Sequence, residues 1–254
     1  MIQRTTNHPG AKAAKHSKAT SPVPYLGPEV YERWRGSELG SVTERLEQDL
    51  IRQLIGDVSG RRVLDIGCGD GALATTLARQ GARAVGVDAS KPMLDAARAR
   101  AMAQRVDVSL CLGRAEQLPF AAESFDLVVA VTILCFVAEA EQTFTEIGRV
   151  LRPGGRLVIG ELGKWSTWAV QRRIRGWLGS PLWRHGYFRT PRELQNLARV
   201  GGLRPNPVQG AIYYPHCGLA ARHLARIDPW LGRRSNFGAA FLALSAVKPA
   251  GQGK

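Results

Sequence analysis

Cysteine is scarce in this chain. Its 254 residues include four, Cys68, Cys111, Cys135 and Cys217. They form no CxxC pair and no Cys–His cluster of zinc spacing, so neither a metal site nor a disulfide framework is expected. Three fall in predicted strands or strand ends, where a free thiol acts as a small buried hydrophobe in a reducing compartment. Long apolar runs are also missing: none reaches the roughly 18 to 20 residues that span a bilayer. The first residues, MIQRTTNHPGAKAAKHSKATSPVPYLGP, carry basic side chains but no apolar core, so they do not read as a secretory signal. Their Ala, Lys, Ser and Pro content predicts a flexible basic tail over 1–24. The rest, 25–254, contains no repeat and no linker, and a single domain in the cytoplasm is the expectation.

The most telling shortage is of acid. Residues 1–149 hold 18 Lys and Arg against 18 Asp and Glu, whereas 150–254 hold 17 against three, Glu161, Glu193 and Asp228. The whole net charge of +14 therefore lies in the second part. Such asymmetry fits either an anionic partner or a solvated basic face. Within it, WAVQRRIRGWLGSPLWR mixes Arg172, Arg173, Arg175 and Arg184 with Trp168, Trp177 and Trp183. Three readings stay open: a lid packed on its own domain, a contact with a lipid-like molecule or an anionic membrane surface, and a nucleic-acid contact. The lack of an appended RNA-binding module stands against the last.

What is present is an alternation of apolar runs with helical stretches. Glu29 to Gly56 reads as one helix, with Val42, Leu46, Leu50 and Leu54 at four-residue spacing on one face. RVLDIG is a strand, Ala72 to Gln80 a helix, and RAVGVDAS a second strand. Ser90 and Pro92 suit the cap and first turn of a helix running to about Met102. VDVSLCLG, SFDLVVAVTILCF and GGRLVIGEL are the third, fourth and fifth strands, with the helix AEQTFTEIGRVL before the last. A helix from Thr190 and late strands in PVQGAIYYP and AAFLALSAVK complete the reading. The pattern predicts an α/β fold: a Rossmann-like, seven-stranded, mostly parallel sheet with helices on both faces. An N-terminal helical cap and a basic lid after the fifth strand flank it, the core being 61–162 and the lid and late strands 163–248.

Gly67, Gly69 and Gly71 sit at the first strand–helix seam, where backbone without Cβ admits the polar end of a ligand. The order is G-x-G-x-G with Ala72 where dinucleotide folds place a third glycine, and no phosphate-loop lysine follows. Asp88 ends the next strand 21 residues beyond Gly67. Its carboxylate suits paired hydroxyls and would repel a 2′-phosphate.

VLDIGCGDG, GVDAS, GRAEQLPF, SFDLVVAV and EIGRVLRPGGRLVIGEL, in this order and spacing, resemble the motifs of class I S-adenosylmethionine-dependent methyltransferases. They are most similar to the type 11 branch that includes ubiquinone and menaquinone biosynthesis enzymes. The resemblance covers about Val63 to Leu162 strongly and the closing GAAFLALSAVKP weakly. It implies S-adenosylmethionine as cofactor. Gly67, Gly69 and Gly71 would lie under its methionine part, with Asp65 helping to hold the amino group. Asp88 would bind the ribose, Ala89 and Met93 pack on the adenine, Ala115 and Glu116 line the adenine edge, and Val131 and Thr132 face the sulfonium. The family commonly has an aspartate where this chain has Arg114, and no histidine stands in VTILCF. The implied reaction is direct in-line methyl transfer to a small or lipophilic acceptor, which requires position and desolvation more than a catalytic dyad.

Candidate acceptor contacts are Tyr31 and Trp34 in the first helix, and Glu161, Trp165, Trp168, Tyr187, Tyr213, Tyr214 and His216 after the core. Tyr31 and His216 are the candidate catalytic groups. No metal is expected. The competing readings are a nucleic-acid methyltransferase using the basic half, a nicotinamide-dependent oxidoreductase on the same layered fold, and a non-catalytic binder of the same cofactor.

Overall fold

Two helices open the chain where the periodicity predicts one. The computed structural model describes residues 27–184 and 186–250, so the predicted tail over 1–24 lies outside the described residues. Helix α1 (Pro28–Arg35) stops at Gly36, and α2 (Glu38–Ile55) starts afresh because Ser37 turns extended and its Oγ accepts from Gly40 N at 3.0 Å. A serine N-cap hidden inside a periodic run thus divides the cap. Gly40, Thr43, Ile51 and Ile55 are the buried residues of α2, while Val42, Leu46, Leu50 and Leu54 are half-buried at its margin. Gly56 ends it at φ 65°, as the sequence predicts.

The alternating section follows: β1 (Arg62–Ile66), α3 (Ala72–Arg79), β2 (Arg83–Asp88), α4 (Lys91–Ala103), β3 (Ser109–Leu112), β4 (Phe125–Val131), α5 (Ala140–Val150) and β5 (Leu151–Leu162). Ser90 caps α4 as expected, its Oγ accepting from Met93 N. The fourth strand is shorter than predicted. Thr132 turns to φ 52° and donates its N–H to Gly160 O at 2.7 Å, and Leu134–Phe136 coils into a 3₁₀ turn. The apolar run therefore continues past the strand to wall a cavity.

The remaining elements are α6 (Thr167–Trp177), α7 (Pro181–Arg184), α8 (Pro191–Val200), β6 (Arg204–Pro205), β7 (Gln209–Ala211), α9 (Gly218–Leu224), α10 (Asp228–Arg234) and β8 (Phe241–Val247). Helix α8 begins on a capping box, Thr190 Oγ1 accepting from Glu193 N and the Glu193 carboxylate from Thr190 N. The sheet runs β3-β2-β1-β4-β5-β8-β6, with β7 also on β8. Pairs among the first five strands are parallel, and β8 is antiparallel to β5. Short β6 and β7 pair successive stretches of β8, broken near Pro207, which has no N–H to donate. Eight segments thus fill the seven predicted positions.

Alternation along the strands sends Leu64, Ile66, Val128 and Ala130 to one core, closed by α5 and α8. Val63, Leu127, Val129 and Val158 go to the other, closed by α2, α3 and the α9 side. Both faces are covered, which leaves the carboxyl ends of β1, β2 and β4 as the open crevice of the sheet.

Candidate functional site

The crevice opens into a cavity of about 720 Å³. Its floor is the loop after β1. Gly67, Gly69 and Gly71 all take positive φ, at 68°, 54° and 74°, a conformation that L-residues with side chains resist. Their reasons differ. A Cβ on Gly67 would lie 2.7 Å from the Ile133 side chain, and one on Gly71 2.7 Å from Ala97 Cβ of α4. A Cβ on Gly69 would meet nothing within 4 Å, so that space is open to a ligand. Gly71 does not line the cavity, contrary to the expected place under the cofactor; it holds α3 against α4 instead.

Two carboxylates face each other across this loop. Asp88 accepts from Gly69 N at 2.9 Å with Oδ2 and from Ser90 N at 2.8 Å with Oδ1. Each oxygen keeps a further lone pair for a ligand hydroxyl. Asp65 is buried, and its Oδ2 has no hydrogen-bond partner among the described residues. Burial, with Asp88 and Asp70 adding to it, pushes its carboxyl up to about 7. An orphaned buried carboxylate asks for a cationic or donating group. These features fit S-adenosylmethionine, which has an ammonium at one end and a ribose diol further along. Asp65, Gly67, Gly69, Asp88, Ala89, Met93, Ala115, Glu116, Val131 and Thr132 all line the one cavity. Arg114, where the family commonly has aspartate, pairs with Glu116 at 2.8 Å.

The far end is roofed by the N-terminal cap. Tyr31 and Trp34 line the cavity as expected. Burial pushes the Tyr31 phenol up to about 12, so it stays protonated at neutral pH. His216 is elsewhere: exposed, absent from the cavity lining, and packed against Trp168 with ring centroids 4.4 Å apart and the planes tilted by 57°. Partial desolvation of the imidazole, with the nearby Arg175 and Arg172, holds its pKa below the usual 6.5. Trp165, Trp168, Tyr187, Tyr213, Tyr214 and Glu161 also lie outside the lining. Trp168 donates Nε1–H to Tyr214 O at 2.8 Å, the Tyr214 and Thr43 hydroxyls share a hydrogen bond at 3.0 Å, and Glu161 accepts from Leu134 N at 2.7 Å. Trp168, Tyr214 and Glu161 are packing groups, whereas Trp165 and Tyr187 are exposed.

Several lining residues escape the sequence reading. Glu44, Glu47, Gln48 and Ile51 of α2 enter at helical spacing, one step round from the apolar positions that the periodicity picks out. Burial pushes Glu47 up to about 7 against the pull of Arg172, with Glu44 adding to the rise. Asp70, inside the glycine loop, binds Arg35 of α1 and Arg100 of α4, each at 2.6 Å on the same Oδ2. Ile133 and Phe136, predicted as strand, with Val137 just beyond and Leu182 of α7, wall the remainder.

Comparison with known proteins identifies the family. Residues 64–159 match the family model described as a methyltransferase domain. The chain is similar to a ubiquinone biosynthesis O-methyltransferase of Cereibacter sphaeroides, 33% identical over 70% of this chain and 74% of that protein. It is similar to methyltransferase GfsG of Streptomyces halstedii, 40% identical over 49% of this chain, but spans only 45% of that protein's length. Its fold resembles the crystal structure of magnesium protoporphyrin IX methyltransferase from Synechocystis PCC 6803 with bound SAH, at TM-score 0.63 and 18% identity over 86% and 92% of the two chains. The fold and the relatives together define an enzyme that moves methyl groups. The chain belongs to the class I S-adenosylmethionine-dependent methyltransferases. S-Adenosylmethionine is its methyl donor, and the nicotinamide-dependent reading falls.

Proposed function

We propose that this enzyme methylates a small, lipophilic acceptor, with Asp65, Gly69 and Asp88 holding the donor and the α1–α2 cap enclosing the acceptor. The observation that carries the reading is that Trp34, Ile51, Ile133, Phe136, Val137 and Leu182 line the same cavity as the donor residues. A concave pocket in which these apolar side chains stand among a set of charged and polar ones, Glu44, Glu47 and Gln48 included, suits a small hydrophobic molecule that carries a polar group. The Cereibacter relative, named for ubiquinone biosynthesis, supports the same class.

Bound S-adenosylmethionine supplies an electrophilic methyl group on a good leaving group. The residues around it supply position and dryness. Val131 and Thr132 end β4 beside the glycine loop and form the waist between the donor and acceptor ends. Tyr31 donates a hydrogen bond into the acceptor end. Glu47 is the group there whose pKa, about 7, suits it to take a proton from an acceptor hydroxyl at neutral pH.

Tritiated-methyl donor added to a bacterial lysate with the purified enzyme should label material that partitions into organic solvent. Label in RNA or in polar metabolites alone refutes the lipophilic assignment. With the labelled species in hand as substrate, Glu47→Gln should turn over at least about tenfold more slowly, with donor affinity unchanged.

A further inference from the structure

Helix α6 is built inside out. Its inner side buries Trp168, Ala169 and Gly176. A Cβ at Gly176 would lie 2.7 Å from Trp183 O, so the glycine lets α7 pack tightly beneath. The opposite side carries Val170, Ile174, Trp177 and then Leu178, at i, i+4, i+7 and i+8, which is one stripe of the helix surface. Their exposures are 53%, 45%, 82% and 82%. The outward face of a surface helix is ordinarily polar, and a contiguous exposed apolar patch marks a docking surface.

The surroundings of the stripe carry one sign of charge. Arg175 beside it and Arg184 on α7 are both exposed. No Asp or Glu occurs between Glu161 and Glu193. Glu161 is buried in the sheet, and Glu193 is engaged with Thr190 and Lys164. A second copy would set this cationic rim against itself, which opposes self-association. Nucleic acid would satisfy the arginines but leave the aliphatic Val170, Ile174 and Leu178 unmatched. A bilayer with anionic headgroups satisfies both parts: Trp and aliphatic side chains enter the headgroup–acyl boundary while arginines meet phosphates.

We infer that the outer face of α6 docks this enzyme on anionic lipid bilayers, with Ile174, Trp177 and Leu178 inserted and Arg175 and Arg184 on the headgroups. The inference stands apart from the acceptor assignment, although α7, the next helix, contributes Leu182 to the cavity wall.

The test is co-sedimentation of the full chain with phosphatidylcholine vesicles, with and without phosphatidylglycerol. The protein should pellet with the phosphatidylglycerol vesicles only, and less so as salt is raised. Trp177→Ser with Leu178→Ser should weaken this partition at least about tenfold, and Arg175→Gln with Arg184→Gln should remove the preference for phosphatidylglycerol. Each variant should keep the rise in Tm given by adenosylhomocysteine, which shows an intact fold and donor site independently of lipid. Equal pelleting with both vesicle types, or partition unchanged by the Trp177/Leu178 pair, overturns the proposal. So does a dimer in sedimentation equilibrium that the same pair of substitutions dissociates.

Discussion

Asp88 shows how one side chain serves both fold and ligand. It ties Gly69 N and Ser90 N, so it shapes the glycine loop and the start of α4 before any donor arrives. Its remaining lone pairs are what a ribose diol would use. Replacing it with Asn keeps the volume and one acceptor but loses the charge and half of the acceptor set. Hydrogen bonds to a charged group contribute about 1.5 to 3 kcal/mol each. Asp88→Asn should therefore weaken adenosylhomocysteine roughly 10- to 100-fold in calorimetry, and lower the Tm of the donor-free protein as well, since one of the two backbone N–H groups loses its acceptor. An affinity within twofold of the parent would remove Asp88 from the donor site. Asp88 was legible in the sequence because a strand-terminal acid at a fixed distance from glycines is a local pattern. Glu47 was not, because its importance comes from α2 lying over the crevice, a tertiary fact. His216 misled for the converse reason: the end of a predicted strand looked like the mouth of the sheet, but β7 stops at Ala211 and carries the chain away to α9.

At the level of elements, the three glycines separate into different tasks. Gly71 is packed between α3 and α4, whereas Gly69 faces open cavity. Gly71→Ala forces a side chain into positive φ and against Ala97, so it should lower stability by about 2 kcal/mol or more, measured by urea unfolding, while the folded fraction keeps its donor affinity within about threefold. Gly69→Ala should do the reverse, costing about 1 kcal/mol of backbone strain and most of the donor affinity. If both behave alike, the division is wrong. The parallel strands and their helices were readable because apolar runs and glycine seams are short-range signals. Ser37 was not recognised as a cap because Glu29 to Gly56 reads as one helix from Val42, Leu46, Leu50 and Leu54, all of which lie after it, and α6, α9 and α10 lack the inward apolar stripe that periodicity detects.

For the whole molecule, buried acids dominate the response to pH. Asp65, Glu47 and Glu161 are each pushed up to about 7, chiefly by burial, from ordinary values of 3.8 and 4.5. The folded chain then binds these protons more tightly than the unfolded one. Their stabilisation is full below the unfolded values and is lost as pH rises to about 7. His216, held low, works in the opposite sense, losing stability as pH falls through 6.5 and below. These three, with Glu44 and Asp228 also raised by burial, outweigh His216 and should make the Tm of the donor-free protein fall between about pH 4.5 and pH 7. Glu161→Gln, which cannot titrate, should flatten that fall in differential scanning calorimetry. A Tm that rises over the interval would show that these carboxyls ionise freely in the fold.

The uneven placement of charge has a mechanical side. The excess of +14 is carried by residues 150–254, and on α6 and α7 Arg175 and Arg184 stand exposed beside the apolar stripe. In the field near a negatively charged membrane such a molecule feels a torque as well as a pull, and it swings its arginine-rich end forward while still about a Debye length away. Like a compass needle, it would arrive already aimed, with α6 leading and the substrate end of the cavity one helix behind the point of touchdown.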